Sequence, residues 1–407
     1  MAYVEYNGYG GNWNAGPWTN GEGTPTTPQP GDDVYLYLDS GEGTLTSSSN
    51  VAIGSLSIDT VSGYDGQVTL DIAGGVFAVG SSSQEAGALT IANYGIINVG
   101  TGATLVVATP DAEIVDGGII NLWGKLELAS STVLNTVDDG YLWLSSLGTI
   151  GSDGHDMVML TNKGSIYGGG LIGDQYLTLN NEGTIDATAS MILNTGLNEI
   201  VNAASCTMEA SNGGFLNIHS NVYNEGFVEA QANSAVDLMN ASINGGVVDI
   251  SAGATLEAVS GVNTITGYVA NQGSIQVENG ATLSLTGQGV DNGSVTINGT
   301  GVFELSNAAA FDEKVSFAAL SHGTMVLENA TAAKAFNGAV YGFVAGDQID
   351  LIGFGAHTTY SYSGGELHVN DVEGSVTHTA NIDIVGSLTT ASFHGRFNGS
   401  EVIFTHA

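Results

Sequence analysis

The sequence is poor in positive charge, cysteine and proline, and it has no long apolar run. Five basic residues, Lys125, Lys163, Lys314, Lys334 and Arg396, stand against 41 Asp and Glu in 407 residues, a formal net charge of −36. They are scattered, so no basic stripe exists to neutralise phosphates or anionic headgroups, which argues against nucleic acid as a partner. The single cysteine, Cys206, permits no intrachain disulfide. Within Ala203-Ala-Ser-Cys-Thr-Met208 it reads as a small buried residue, with no His or basic neighbour to favour a thiolate. No stretch approaches the ~18 apolar residues of a membrane-spanning helix, so membrane insertion is not expected. The opening Met1-Ala-Tyr-Val-Glu-Tyr-Asn-Gly8 lacks the basic and apolar regions of a secretory signal. Either the protein stays in the cytoplasm or it leaves without a cleaved N-terminal signal.

What is abundant points one way. Glycine occupies 60 positions, roughly twice its usual share, and hydrophobic residues make up 43%. That apolar content is too high for a disordered acidic tail. Gly, Asn, Ser and Thr alongside many β-branched residues describe a β protein with frequent turns.

Internal repetition is the strongest signal, and it takes the form of a phrase. Asn93-Tyr-Gly95-Ile-Ile97-Asn-Val99-Gly-Thr-Gly102-Ala-Thr-Leu105 returns as Asn244-Gly-Gly246-Val-Val248-Asp-Ile250-Ser-Ala-Gly253-Ala-Thr-Leu256. It returns again as Asn271-Gln-Gly273-Ser-Ile275-Gln-Val277-Glu-Asn-Gly280-Ala-Thr-Leu283. Degenerate copies surround Gly118, Gly164, Gly183, Gly226 and Gly293, and the spacing resolves into a period of about 20–23 residues. The first Gly is expected to take positive φ in a turn. Ile97 and Val99 then face one side of a short strand and Ile96 and Asn98 the other. Gly-Ala-Thr-Leu makes a second turn and opens a second strand. This predicts an all-β parallel β-helix of about 12–14 coils, each burying its apolar face only by stacking on the next. Asn residues at equivalent turns are expected to form ladders along the stack.

The ends depart from the repeat. Residues 1–40 read as an aromatic, Pro-punctuated cap, 41–320 as the solenoid, and 321–407 as a β-rich C-terminal module. Asn12-Trp13-Asn-Ala-Gly16 followed by Pro30-Gly-Asp32-Asp33-Val34 resembles the opening of bacterial secreted β-helix and autotransporter-like proteins. Gly346-Asp347-Gln-Ile-Asp350-Leu351 resembles the C-terminal module of proteins exported by type I secretion, including those with calcium-binding repeats. That second resemblance implies an uncleaved C-terminal export signal and an extracellular or cell-surface location. The Gly-Gly-x-Gly-x-Asp nonapeptide of the calcium-binding group is absent here, so the resemblance bears on export more than on a calcium roll.

Candidate sites follow from the acidity. Calcium takes hard oxygen ligands in flexible loops, and Asp32 with Asp33, Asp153 with Asp156, and Asp347 with Asp350 have suitable local density; turn formation is their alternative role. For glycan hydrolysis, which needs paired carboxylates, the candidates are Asp138-Asp139 and Asp153-Gly-His155-Asp156. A lyase acting on acidic sugars needs Lys or Arg near the uronate, and the central region offers only Lys125, Lys163 and Lys314. The eight His residues are scattered, and only His368 and His378 could meet across a hairpin. Trp13 and Trp18 could stack on sugars or fill the end of the core.

The expectation is a non-enzymatic extracellular structural protein. It would assemble with itself, through solenoid ends or its N-terminal segment, into a filament, surface layer or biofilm matrix stabilised by calcium. The alternatives are a monomeric adhesin that binds a surface polysaccharide, and a β-helical polysaccharide lyase or hydrolase.

Overall fold

Segments in which every second residue is apolar become strands with one buried side, as in Gly95–Val99, Lys125–Leu128, Thr282–Leu285 and Val302–Leu305. The computed structural model describes all residues except 1, 7, 39–40, 61–65, 81–88, 93, 111, 138, 288, 290–291, 307–310, 329–335 and 374–375. The fold is all-β with almost no helix, and its strands stack as about 13 turns of a parallel β-solenoid. The chain divides into two compact units, Met1–Met208 and Glu209–Ala407. Among the described residues no helix is long and apolar enough to cross a membrane.

In the first unit a coil consists of three short strands, for example Leu89–Ile91, Gly95–Val99 and Thr104–Val107. The next coil repeats them as Ala112–Asp116, Ile119–Leu122 and Lys125–Leu128. Stacking in register turns the alternation into columns. Leu70, Ile97, Ile120, Leu142, Ile166 and Ile185 sit on successive coils, all fully buried. Phe77, Leu105, Leu126, Ile150, Ile172 and Leu193 form a second such column. Burying each of these side chains contributes about 1.5–3 kcal/mol, which no isolated coil could collect.

The two glycines of the repeated phrase turn out to serve different ends. The glycine of Asn-x-Gly was expected to need positive φ, and Gly246 holds +58°, yet at Gly118, Gly183 and Gly273 φ is not in that region. These positions need space instead. A Cβ would lie 2.1 Å from Gly95 O at Gly118, 2.2 Å from Gly164 O at Gly183 and 2.4 Å from Ala254 O at Gly273. The residue two before each glycine closes the corner. Gly118 N donates to Asp116 Oδ1 at 3.0 Å, Gly164 N to Asn162 Oδ1 at 3.2 Å and Gly273 N to Asn271 Oδ1 at 3.0 Å. Left-handed backbone recurs at the second glycine in all three full copies, with φ +79° at Gly102, +81° at Gly253 and +79° at Gly280, where the surrounding space is open.

The N-terminal segment also stacks in register. Tyr3–Tyr6 lies parallel on Asp33–Leu38, and Trp18–Asn20 runs antiparallel to Tyr3–Tyr6. The free edge of Trp18–Asn20 is covered by the following residues, since Asn20 N donates to Thr24 O and Thr26 N to Trp18 O, both at 2.9 Å. Pro25, Pro28 and Pro30 leave that covering segment short of donors, so it offers little to a further strand. Trp13 and Trp18 are buried. The Trp13 ring meets Phe77 edge-on with centroids 4.8 Å apart, and Trp18 Nε1 donates to Trp13 O at 2.8 Å.

The second unit has an all-aliphatic column of its own: Leu216, Val236, Leu256, Ile275, Val295, Val315, Val340 and Ile384. Here the third copy of the phrase shifts by one corner. Gly246 leads into Val247–Ile250, which stacks on Phe227–Ala230, whereas Gly273 leads into Ser274–Val277, which stacks on the other face strand, Thr255–Ser260. The phrase encodes strand, tight turn and strand, and any corner of a coil accepts that. Parallel stacking ends in antiparallel pairs. Glu366–Glu373 pairs with both Val376–Val385 and Thr359–Ser363, while Glu401–His406 pairs with Gln348–Ile352 and Phe393–Phe397. Tyr360 Oη donates to Phe393 O at 2.9 Å and Tyr362 N to Thr390 Oγ1 at 3.0 Å, tying Thr359–Ser363 to the strand Phe393–Phe397 and to the short 3-10 turn Thr390–Ser392 before it.

Candidate functional site

The acidic pairs singled out from sequence lie in local turns and strands, and four of the six carboxylates accept hydrogen bonds there. Asp32 accepts from Ala2 N at 3.2 Å and Gln29 N at 2.9 Å, and Asp33 from Ser55 Oγ at 2.7 Å. Asp153 accepts from His155 N at 3.0 Å, and Asp156 is exposed. Asp347 is fully buried: Oδ1 accepts from Ser321 Oγ at 2.6 Å and Gly323 N at 3.2 Å, and Oδ2 from Val344 N at 3.0 Å. Asp350 lies on the strand Gln348–Ile352, its Oδ1 without a hydrogen-bond partner. Burial, with Glu401 adding and Arg396 opposing, pushes its carboxyl up to about 6. Among the described residues no three His, Cys, Asp or Glu side chains converge as a metal centre would require.

Among the described residues, those considered for catalysis do not converge. Asp138 lies outside the described residues, and Asp139 stands at the rim of a surface groove. His155 is largely exposed and stands 3.7 Å from Asp153, a contact within one turn. His368 and His378 occupy neighbouring strands but on different rungs, His368 opposite Asn381 and His378 opposite Asp371. Cys206 is half-buried, and burial followed by the charge of Glu182 raises its thiol, which disfavours the thiolate. Lys125 donates to Glu127 at 2.7 Å and to Ser152 O at 3.0 Å.

The stacking does assemble an aromatic face in the first unit that the sequence reading missed. On the outward side of Gly95–Val99, Ile119–Leu122 and Tyr141–Leu144, the residues Ile96, Ile119 and Tyr141 fall in one column. Asn98, Asn121 and Trp143 fall in the next, continued by Tyr167. Asn121 Nδ2 donates to Asn98 Oδ1 at 3.0 Å. Trp123 packs against Trp143 with centroids 5.5 Å apart, and Tyr141 against Tyr167 at 5.9 Å. Beside these columns a groove of about 220 Å³ is lined by Gln67, Tyr94, Ile96, Ile119, Asp139 and Tyr141, with Gly95, Gly117 and Gly118 in its wall. Tyr94 is 61% exposed and holds φ +69°. The alternation Tyr141-Leu-Trp143-Leu was readable in sequence. That Tyr94 and Tyr141 share a groove depends on two coil steps of register.

No protein-family model matches the chain, and no curated protein matches it.

Proposed function

We propose that the chain is an extracellular structural protein of a bacterial surface layer or matrix, acting by presenting rigid faces rather than by chemistry. The observation that carries this reading is the unbroken aliphatic column from Leu216 to Ile384, ending in antiparallel strands. An interior of stacked aliphatic side chains has few soft modes and displays flat, repetitive outer faces suited to lateral contact. The covered edge near Pro25 and the antiparallel C-terminal pairs favour self-association through faces or the N-terminal segment over strand addition at the ends.

Export belongs to the same reading. It is supported by the likeness of residues 12–34 to autotransporter-like openings and of Gly346–Leu351 to type I secretion modules. Calcium is the proposed counter-ion, because a net charge of −36 is self-repelling and a cation that binds the folded chain stabilises it. Electron microscopy of the purified protein with and without calcium tests the proposal. Ordered filaments or sheets are expected; monomers alone under both conditions would defeat it.

A further inference from the structure

We propose that the groove between Tyr94 and Tyr141 binds one ring of a neutral glycan chain, whose neighbouring sugars continue over Trp143 and Trp123. This inference is independent of self-association and would hold for a monomer.

The chemistry of the lining selects the ligand. Ile96, Ile119 and the two tyrosine rings offer apolar surface, while Gln67, Asp139 and the tyrosine hydroxyls supply hydrogen-bonding groups at its rim. Such a mixture suits a molecule with C–H faces and hydroxyl edges, which is what a pyranose ring presents. The groove is smaller than the roughly 300 Å³ at which drug-sized pockets begin, so it suits a single ring of a longer chain. A Cβ at Gly118 would collide with Gly95 O, so the wall is held to bare backbone.

Charge decides against acidic glycans. Among the described residues Asp139 is the one carboxylate in the lining, and no Lys or Arg lines the groove. With Lys125 held by Glu127 and a chain charge of −36, a polyuronate would be repelled. Peptide strand addition is also closed off. Gly95–Val99 already pairs on both edges, with Gln67–Ile72 and with Ile119–Leu122, so its backbone has no ladder left to offer.

Tyr94 adds a separate argument. A bulky residue at φ +69° is strained by about 1–2 kcal/mol, and the ring so displayed lies largely in solvent.

The test uses the full chain and isothermal titration with neutral gluco-, manno- and galacto-oligosaccharides of increasing length, and oligogalacturonate as the polyanion. Binding of a neutral series that tightens with length is expected, with no uptake of oligogalacturonate. Tyr94→Gly should weaken binding about tenfold or more while its melting temperature holds or rises, because the strain is relieved as the stacking ring is lost. Tyr141→Ala should weaken it similarly, and Tyr94→Phe should retain most of it. The proposal is overturned by no binding of any neutral series, by unchanged binding in Tyr94→Gly and Tyr141→Ala, or by preference for the polyanion. A lowered melting temperature in Tyr94→Gly would also sink it, since the ring would then be serving the fold. Micrographs from the assembly test do not bear on these outcomes.

Discussion

Asn162 Nδ2 donates to Asn181 Oδ1 at 2.8 Å, joining two fully buried side chains that lie 19 residues apart in sequence. Asn181 repeats the act on Asn202 at 2.8 Å, 21 residues further on. Each amide of this ladder also donates to backbone carbonyls at its corner, as Asn181 Nδ2 does to Gly183 O and Thr207 O at 3.1 Å. A polar group at that depth is tolerable only when so satisfied, and the ladder therefore fixes which coil stacks on which.

Asn181→Ala should accordingly be severe. It removes one of the three acceptors of Asn162 Nδ2 and the amide that donates to Asn202 Oδ1, Gly183 O and Thr207 O, at about 0.5–1.5 kcal/mol for each hydrogen bond lost. Chemical denaturation should show a loss of several kcal/mol. A change under ~1 kcal/mol would mean that water or rearrangement satisfies the gap.

The two kinds of glycine should respond differently to alanine. Gly183→Ala places a methyl 2.2 Å from Gly164 O and must push coils apart, whereas Gly253→Ala meets open space and only the strain of φ +81°. The second change is expected to cost about 1–2 kcal/mol and the first clearly more. Paired thermal melts would settle the order, and a reversed ranking would refute the spatial role assigned to Gly183.

Acid should stabilise the fold across a defined window. Burial pushes the Asp116 carboxyl up to about 7 against the opposing Gly118 hydrogen bond, and burial with Glu257 pushes Asp237 up to about 6. Unfolded Asp titrates near ~3.9, so between about pH 4 and 7 the native state holds protons the unfolded chain has released. Stability therefore falls as pH rises through that range, and is not regained above it. Asp116→Asn removes part of the dependence and should raise stability at pH 8 by roughly 2 kcal/mol. Urea midpoints at pH 5 and pH 8 for both proteins check the sign; a wild-type midpoint that climbs with pH contradicts it.

Asp347 and calcium can be separated. The Asp347 carboxylate already carries three hydrogen bonds, so Asp347→Ala should destabilise by several kcal/mol to the same extent in calcium and in EGTA. Calcium itself is expected to raise the melting temperature of both proteins. Loss of the calcium response in the variant would instead make Asp347 a ligand.

Composition, alternation and the recurring phrase were enough to predict an all-β solenoid of stacked coils. Those features are local: period two makes a half-buried strand, and Asn-x-Gly makes a corner wherever it falls. The same locality explains what stayed hidden. The phrase at Asn271 could not reveal that it had moved one corner, because strand–turn–strand is compatible with every corner. Nor could Asp347 declare itself a turn cap, since its donors Ser321 and Gly323 come from the preceding coil. The aromatic face is the clearest case. Tyr94, Tyr141 and Trp143 are unremarkable in sequence, and only the register between coils places them on one outward surface. Side-chain alternation decides which residues leave the core, but only stacking decides which of them become neighbours.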